Sequence, residues 1–77
     1  MEGIHNLHPL KVIKAFERDG WSVARIESSH HIMKKAGRRE LLSIPIHGGK
    51  PIKQGLLRKQ IRLAGLTVER FLELYHG

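Results

Sequence analysis

The stretch Trp21–Ile46, WSVARIESSHHIMKKAGRRELLSIPI, decides the fold. Trp21–Ile26 (WSVARI) concentrates aromatic and β-branched residues and reads as a strand. His30–Lys35 (HHIMKK) is a second short strand, followed by a turn at Ala36-Gly37. Arg39–Ile46 (RELLSIPI) alternates, with Glu40, Leu42, Ile44 and Ile46 on one side and Arg39, Leu41, Ser43 and Pro45 on the other. Pro45 has no N–H to give to a ladder, so it marks a sheet edge or a strand end. Three strands in series joined by short turns make an antiparallel meander.

Helical patterns flank this meander. His8-Pro9 opens a helix over about 9–19, because proline fits the first turn, where its missing N–H has no partner to lose. Leu10, Ile13 and Phe16 follow helical spacing, Val12 and Phe16 form an i,i+4 apolar pair, and Gly20 supplies the left-handed cap. After the loop His47-Gly48-Gly49-Lys50-Pro51, Gly55 precedes a second helix, Leu56–Ala64. Its Leu57, Ile61 and Ala64 share one face while Arg58, Lys59 and Arg62 face away, and Gly65 caps it. Thr67 is a good N-cap for a short last helix carrying Val68, Phe71, Leu72 and Tyr75 on one face. The order α-β-β-β-α plus a terminal α implies a two-layer α+β domain with both main helices on one face of a three-stranded antiparallel sheet. The other sheet face and the polar side of the second helix are left for a partner.

The chain has 77 residues, which predicts a single domain over 1–77. With no cysteine it has no disulfide, thiolate metal site or thiol nucleophile. No apolar run reaches the ~18 residues of a membrane helix, and Met1–Leu10 lacks a signal-peptide hydrophobic stretch, so the expected location is the cytoplasm. Charge is the informative quantity: 14 Lys+Arg against 7 Asp+Glu, net +7. Residues 28–68 carry nine bases and one acid, so this segment holds the whole positive field and points to a polyanion. Nucleic acid is the first candidate and an acidic protein the second.

Six histidines are the next feature. His5-x-x-His8 lies before the helix start and lacks a third ligand nearby, so no metal site is expected. His30 and His31 are adjacent on a strand and point to opposite sides, so at most one faces a substrate. The residues alone do not choose between them, because each shares its side with an apolar neighbour, Ile32 or Met33. Imidazole is the side chain that titrates near neutrality. Placed within the basic segment, it has what RNA cleavage needs: a base for the 2′-hydroxyl, cations for the phosphorane-like transition state and an acid for the leaving 5′-oxygen. Ser22, Ser28, Ser29 and Ser43 carry no triad signature. Gly48-Gly49-Lys50 lets backbone N–H groups approach a phosphate, but it is not a Walker loop and a plain flexible turn is as good a reading. The start of the second helix, flanked by Lys53 and Arg58, is another potential anion site.

The ordered set Gly20-Trp21, Arg25, Ser29-His30, Gly37-Arg38, Ile44-Pro45, His47, Gly49-Lys50, Gly55, Leu57-Arg58, Ile61, Ala64-Gly65-Leu66-Thr67 and Phe71 resembles the HicA-type (YcfA-like) mRNA interferase toxins. The resemblance extends over roughly residues 8–75. It implies a fold like double-stranded-RNA-binding domains, RNA cleavage without metal or other cofactor, and neutralisation by a HicB-type antitoxin. It also implies that His30 is the catalytic histidine, since the family's histidine follows a Gly-Ser pair. This chain departs from that pattern at Ser28, which stands in the place of the glycine, and at Leu56, often Thr in the family. Lys34, Lys50, Lys53, Arg58 and Lys59 are the candidate RNA- and phosphate-binding residues, and His47 is a candidate second acid. Two other readings stand beside this one. A non-catalytic double-stranded-RNA-binding module fits the same fold and basic helix. A chain acting chiefly as one half of a protein complex fits the small core.

Overall fold

The computed structural model describes residues 3–77; Met1 and Glu2, at the start of the expected 1–77 domain, lie outside the described residues. The elements run α1 (Pro9–Arg18), β1 (Ser22–Glu27), β2 (His30–Lys34), β3 (Leu42–Pro45), α2 (Gln54–Leu63) and α3 (Val68–His76). This is the expected α+β order.

Pro9 occupies the first turn of α1, and the His8 side chain accepts the Leu10 N–H, satisfying one of the free donors at the helix start. Asp19 ends the helix and Gly20, at φ +98°, reverses the chain. That reversal drops Trp21 into the core, where it is 2% exposed and its indole N–H donates to Asp19. Leu10 departs from the expected stripe and is 59% exposed. The face α1 buries runs through Val12, Ile13, Ala15 and Phe16, and the helical angle of Leu10 falls outside it.

The sheet order is β1-β2-β3, both pairs antiparallel. Val23, Met33 and Leu42 are cross-strand partners and so share one face; His31 and Ile44 lie on that face too. Met33, Leu42 and Ile44 are fully buried in one cluster with Val12 and Phe16 of α1 and Leu57 and Ile61 of α2. Both main helices therefore cover the same side of the sheet. A bulge between Val23 and Arg25 shifts the register on β1.

The third strand is shorter than the alternation from Arg39 implies. Met33–Leu42 is its first pair: β2 ends one residue further on, at Lys34, so Arg39 and Glu40 have no strand opposite them, and Leu41, across from Lys34, joins no ladder. This approach segment is held instead by Arg38, which donates to the Leu63 carbonyl at 2.7 Å and pairs with Glu40 at 3.5 Å. Pro45 closes β3, as its missing donor requires. The outer edge of β3 is capped from α2: Gln60, 5% exposed, accepts the Ser43 N–H through Oε1 at 2.9 Å.

The second helix starts earlier than expected, at Gln54 with Lys53 as N-cap, so Gly55 lies within its first turn rather than before it. Its C-terminus follows the sequence reading, with Gly65 at φ +77°. Thr67 caps α3 by accepting the Arg70 N–H at 3.0 Å. α3 packs along α1 through Phe16 and Phe71, whose ring centroids are 5.0 Å apart, and the Tyr75 hydroxyl accepts the His8 N–H at 2.9 Å. No helix among the described residues is long and apolar enough to cross a membrane.

Candidate active site

The register places the two adjacent histidines on opposite faces of the sheet. His31 lies opposite Ile44, on the face the helices cover; it is half-buried, and its Nδ1 is sealed from solvent with no hydrogen-bond partner. His30 lies opposite Pro45 and is exposed on the other face. It is held there by a two-residue hairpin, Ser28-Ser29, between the paired residues Glu27 and His30. Ser28 sits at φ +58°, the left-handed region that normally selects glycine at the first central position of such a turn. The serine thus adopts a backbone that glycine favours, at a conformational cost.

His30 opens onto a pocket of about 570 Å³ built between the end of β3, the following loop and the first turn of α2. Its lining combines the polar His30, His47, Lys50 and Lys53 with the apolar Pro45, Pro51, Leu56 and buried Ile52. The loop is shaped by a turn in which the Lys50 N–H donates to the His47 carbonyl at 3.1 Å, with Gly48 at φ +61°. Ile46 N–H donates to the Ser29 carbonyl at 2.8 Å, fastening the base of this loop to the hairpin before His30. The imidazoles of His30 and His47 and the ammonium groups of Lys50 and Lys53 have no protein hydrogen-bond or ion-pair partner among the described residues. Two imidazoles and two ammonium groups thus line one solvent-open recess with their polar atoms uncommitted. Side chains of these types can move protons and hold a phosphate.

The remaining candidates are placed differently. Lys34 is on the same face of β2 as His30 but four residues along, about 13 Å away by strand rise, and it does not line the pocket. Lys59 is exposed one turn beyond Leu56 on the same side of α2. Arg58 lies on the opposite side of that helix and lines a separate cavity of about 650 Å³, beside Glu69 and Glu73 of α3. His8 is engaged as the α1 cap. The apolar lining was not legible as part of a site. Its only signal in the sequence is that Pro45 and Pro51 bracket the His47–Lys50 turn.

With the geometry in place, comparison with known families is decisive on class. A family model described as HicA toxin of bacterial toxin–antitoxin systems matches residues 11–66. The chain belongs to the HicA toxin family. The matched span contains all three strands, α2 and every candidate site residue, whereas α3 lies beyond it. Membership makes the chain the toxin half of a toxin–antitoxin pair, with an antitoxin as its partner. Comparison with curated proteins finds no match.

Proposed function

We propose that this HicA-family toxin is an endoribonuclease that cuts mRNA, with residues 1–77 as one cleaving domain and His30 as the residue that takes the 2′-hydroxyl proton. The observation that carries the reading is the shared pocket of His30, Lys50 and Lys53, in which a proton acceptor faces open space beside two cations. The 2′-oxygen attacks the adjacent phosphorus, negative charge builds on the non-bridging oxygens, and Lys50 and Lys53 stabilise it. His30 supplies the base and Lys50 and Lys53 the charge stabilisation, neither of which calls on a metal or a cofactor. Lys34 and Lys59, outside the pocket, serve as flanking phosphate contacts along the strand; Arg58 is a weaker candidate because it faces away. The antitoxin is proposed to be HicB-type and acidic where it meets this face, matching the net +7 charge.

The test is cleavage of single-stranded RNA by purified protein in excess EDTA. Wild type cuts; His30→Ala does not, while keeping its fold and much of its RNA binding. Cutting that survives His30→Ala, or cutting of an all-2′-deoxy strand, rejects the reading.

A second reading, a double-stranded-RNA-binding module without turnover, is favoured by one observation: Arg58, Lys59 and Arg62 are all exposed on α2. Tight, steeply salt-dependent duplex binding with no cleavage in any buffer supports it.

A further inference from the structure

We propose that His47 is the general acid of this reaction, giving its proton to the departing 5′-oxygen while His30 accepts the proton of the attacking 2′-hydroxyl; the inference rests on the ribonuclease reading above. Two observations carry it: both rings line one pocket, and neither is tied to a protein partner among the described residues.

The backbone holds the two histidines in a defined relation. His30 is directly opposite Pro45 in the ladder, and His47 is two residues further on, one past the Ile46-to-Ser29 hydrogen bond, which brings it near the diagonal position from His30. Diagonal positions are about 7–8 Å apart at the backbone, within reach of long side chains and wide enough to admit a phosphodiester between two rings. The Ile46-to-Ser29 hydrogen bond lies immediately before each histidine, and the 47–50 turn fixes where the chain goes next. A base and an acid on opposite sides of one phosphorus is the arrangement an in-line displacement requires.

The other polar groups of the pocket are poorer acids. Lys50 and Lys53 are ammonium groups, which release a proton far less readily than an imidazolium. The remaining histidines do not line this pocket. His31 is turned to the helix-covered face, His8 caps α1, and His76 stands edge-on to Tyr75 at 5.1 Å.

The step balances. The 2′-O–H proton passes to the His30 imidazole as the 2′-oxygen bonds to phosphorus. The bond from phosphorus to the 5′-oxygen breaks, and the electron pair left on that oxygen takes the proton of the His47 imidazolium. The products are a 2′,3′-cyclic phosphate and a free 5′-hydroxyl, and the two rings regain their starting states by exchange with water.

A leaving-group substitution tests the role. A short RNA carrying one bridging 5′-sulfur in place of the 5′-oxygen is compared with its all-oxygen counterpart, using wild type, His47→Ala, His47→Gln and His30→Ala, each checked for fold by circular dichroism. A thiolate leaves without protonation. On the oxygen substrate both His47 variants are expected to lose about 10²–10⁴-fold in rate; on the sulfur substrate they come within about tenfold of wild type, while His30→Ala stays slow on both. Equal loss on the two substrates, or full activity of the His47 variants on oxygen, overturns the assignment and leaves the ribonuclease reading standing. Failure of wild type to cut either RNA overturns both.

Discussion

The Ile46 N–H and the Ser29 carbonyl meet at 2.8 Å, one residue before His47 on one side and one residue before His30 on the other. This bond lies beyond the last ladder pair of β2 and β3, His30–Pro45. It continues the sheet by one rung where the chain turns away into the loop. The His30 backbone is therefore positioned by strand pairing, and His47 follows directly on the last hydrogen bond of the sheet, at the first residue of the turn.

Removing that rung separates positioning from chemistry. Ile46→Pro deletes the donor but keeps an extended backbone after Pro45. RNA cleavage is expected to fall at least tenfold with both histidines still present, as read by single-turnover rates. An unchanged rate means the loop is held by other contacts.

Ser28 offers a change in the opposite direction. A non-glycine residue at φ +58° costs about 1 kcal/mol, which glycine relieves. Ser28→Gly is expected to raise Tm by about 4–8 °C, the shift that size of change produces in a domain of this length. A melt in which Tm falls or stays level shows that the serine side chain contributes more than its backbone costs.

The two lysines of the pocket and the arginine outside it are predicted to differ. Lys50→Ala and Lys53→Ala each lower kcat/KM for RNA by ~10-fold or more, since each removes a cation from the site where charge develops. Arg58→Ala, at the other cavity, changes it less than threefold at moderate salt, roughly the loss of one distant charge. Equal losses at all three positions argue for a diffuse electrostatic role and against a pocket.

Gln60 is the structural residue most exposed to test. Its Oε1 takes the Ser43 N–H at the rim of the sheet, and the side chain is 5% exposed. Gln60→Leu keeps the volume and strands that donor, a loss expected to cost about 1–3 kcal/mol in urea unfolding. A midpoint unchanged from wild type means water reaches Ser43.

His31 provides the control for His30. Its ring sits on the covered face, so His31→Ala is expected to reduce stability by about 1–2 kcal/mol, as truncation of a half-buried side chain does, with cleavage per folded molecule retained. The measurement is a melt paired with a rate on the same preparation. A His31 variant that is stable but inactive reverses the assignment of the two rings.

Element type and order were legible along the chain, because they depend on neighbours in sequence. The i,i+4 pair Val12–Phe16, the face Leu57–Ile61–Ala64, and the caps at Gly20, Gly65 and Thr67 are all local signals, and each appears where its spacing places it. Strand limits were less legible. Arg39 and Glu40 alternate as well as Leu42–Pro45 do, yet a residue joins a ladder only where a partner strand lies opposite, and β2 stops at Lys34. The start of α2 was misread for a similar reason: Gly55 is a weak helix former, and its place in the first turn depends on the helix docking against the sheet.

For the site, the sequence alone determined the inventory: a basic segment, adjacent histidines of opposite parity, and a glycine-lysine turn. Only the tertiary structure decided which of the two rings is free, because parity becomes direction only once α1 and α2 have covered one face of the sheet. It also gathered His47, Lys50 and Lys53 around His30 and turned Arg58 away. Those residues are distant from His30 in sequence, and their convergence follows from the ladder rung at Ser29 and Ile46 and from the packing of α2, long-range contacts that no local spacing encodes.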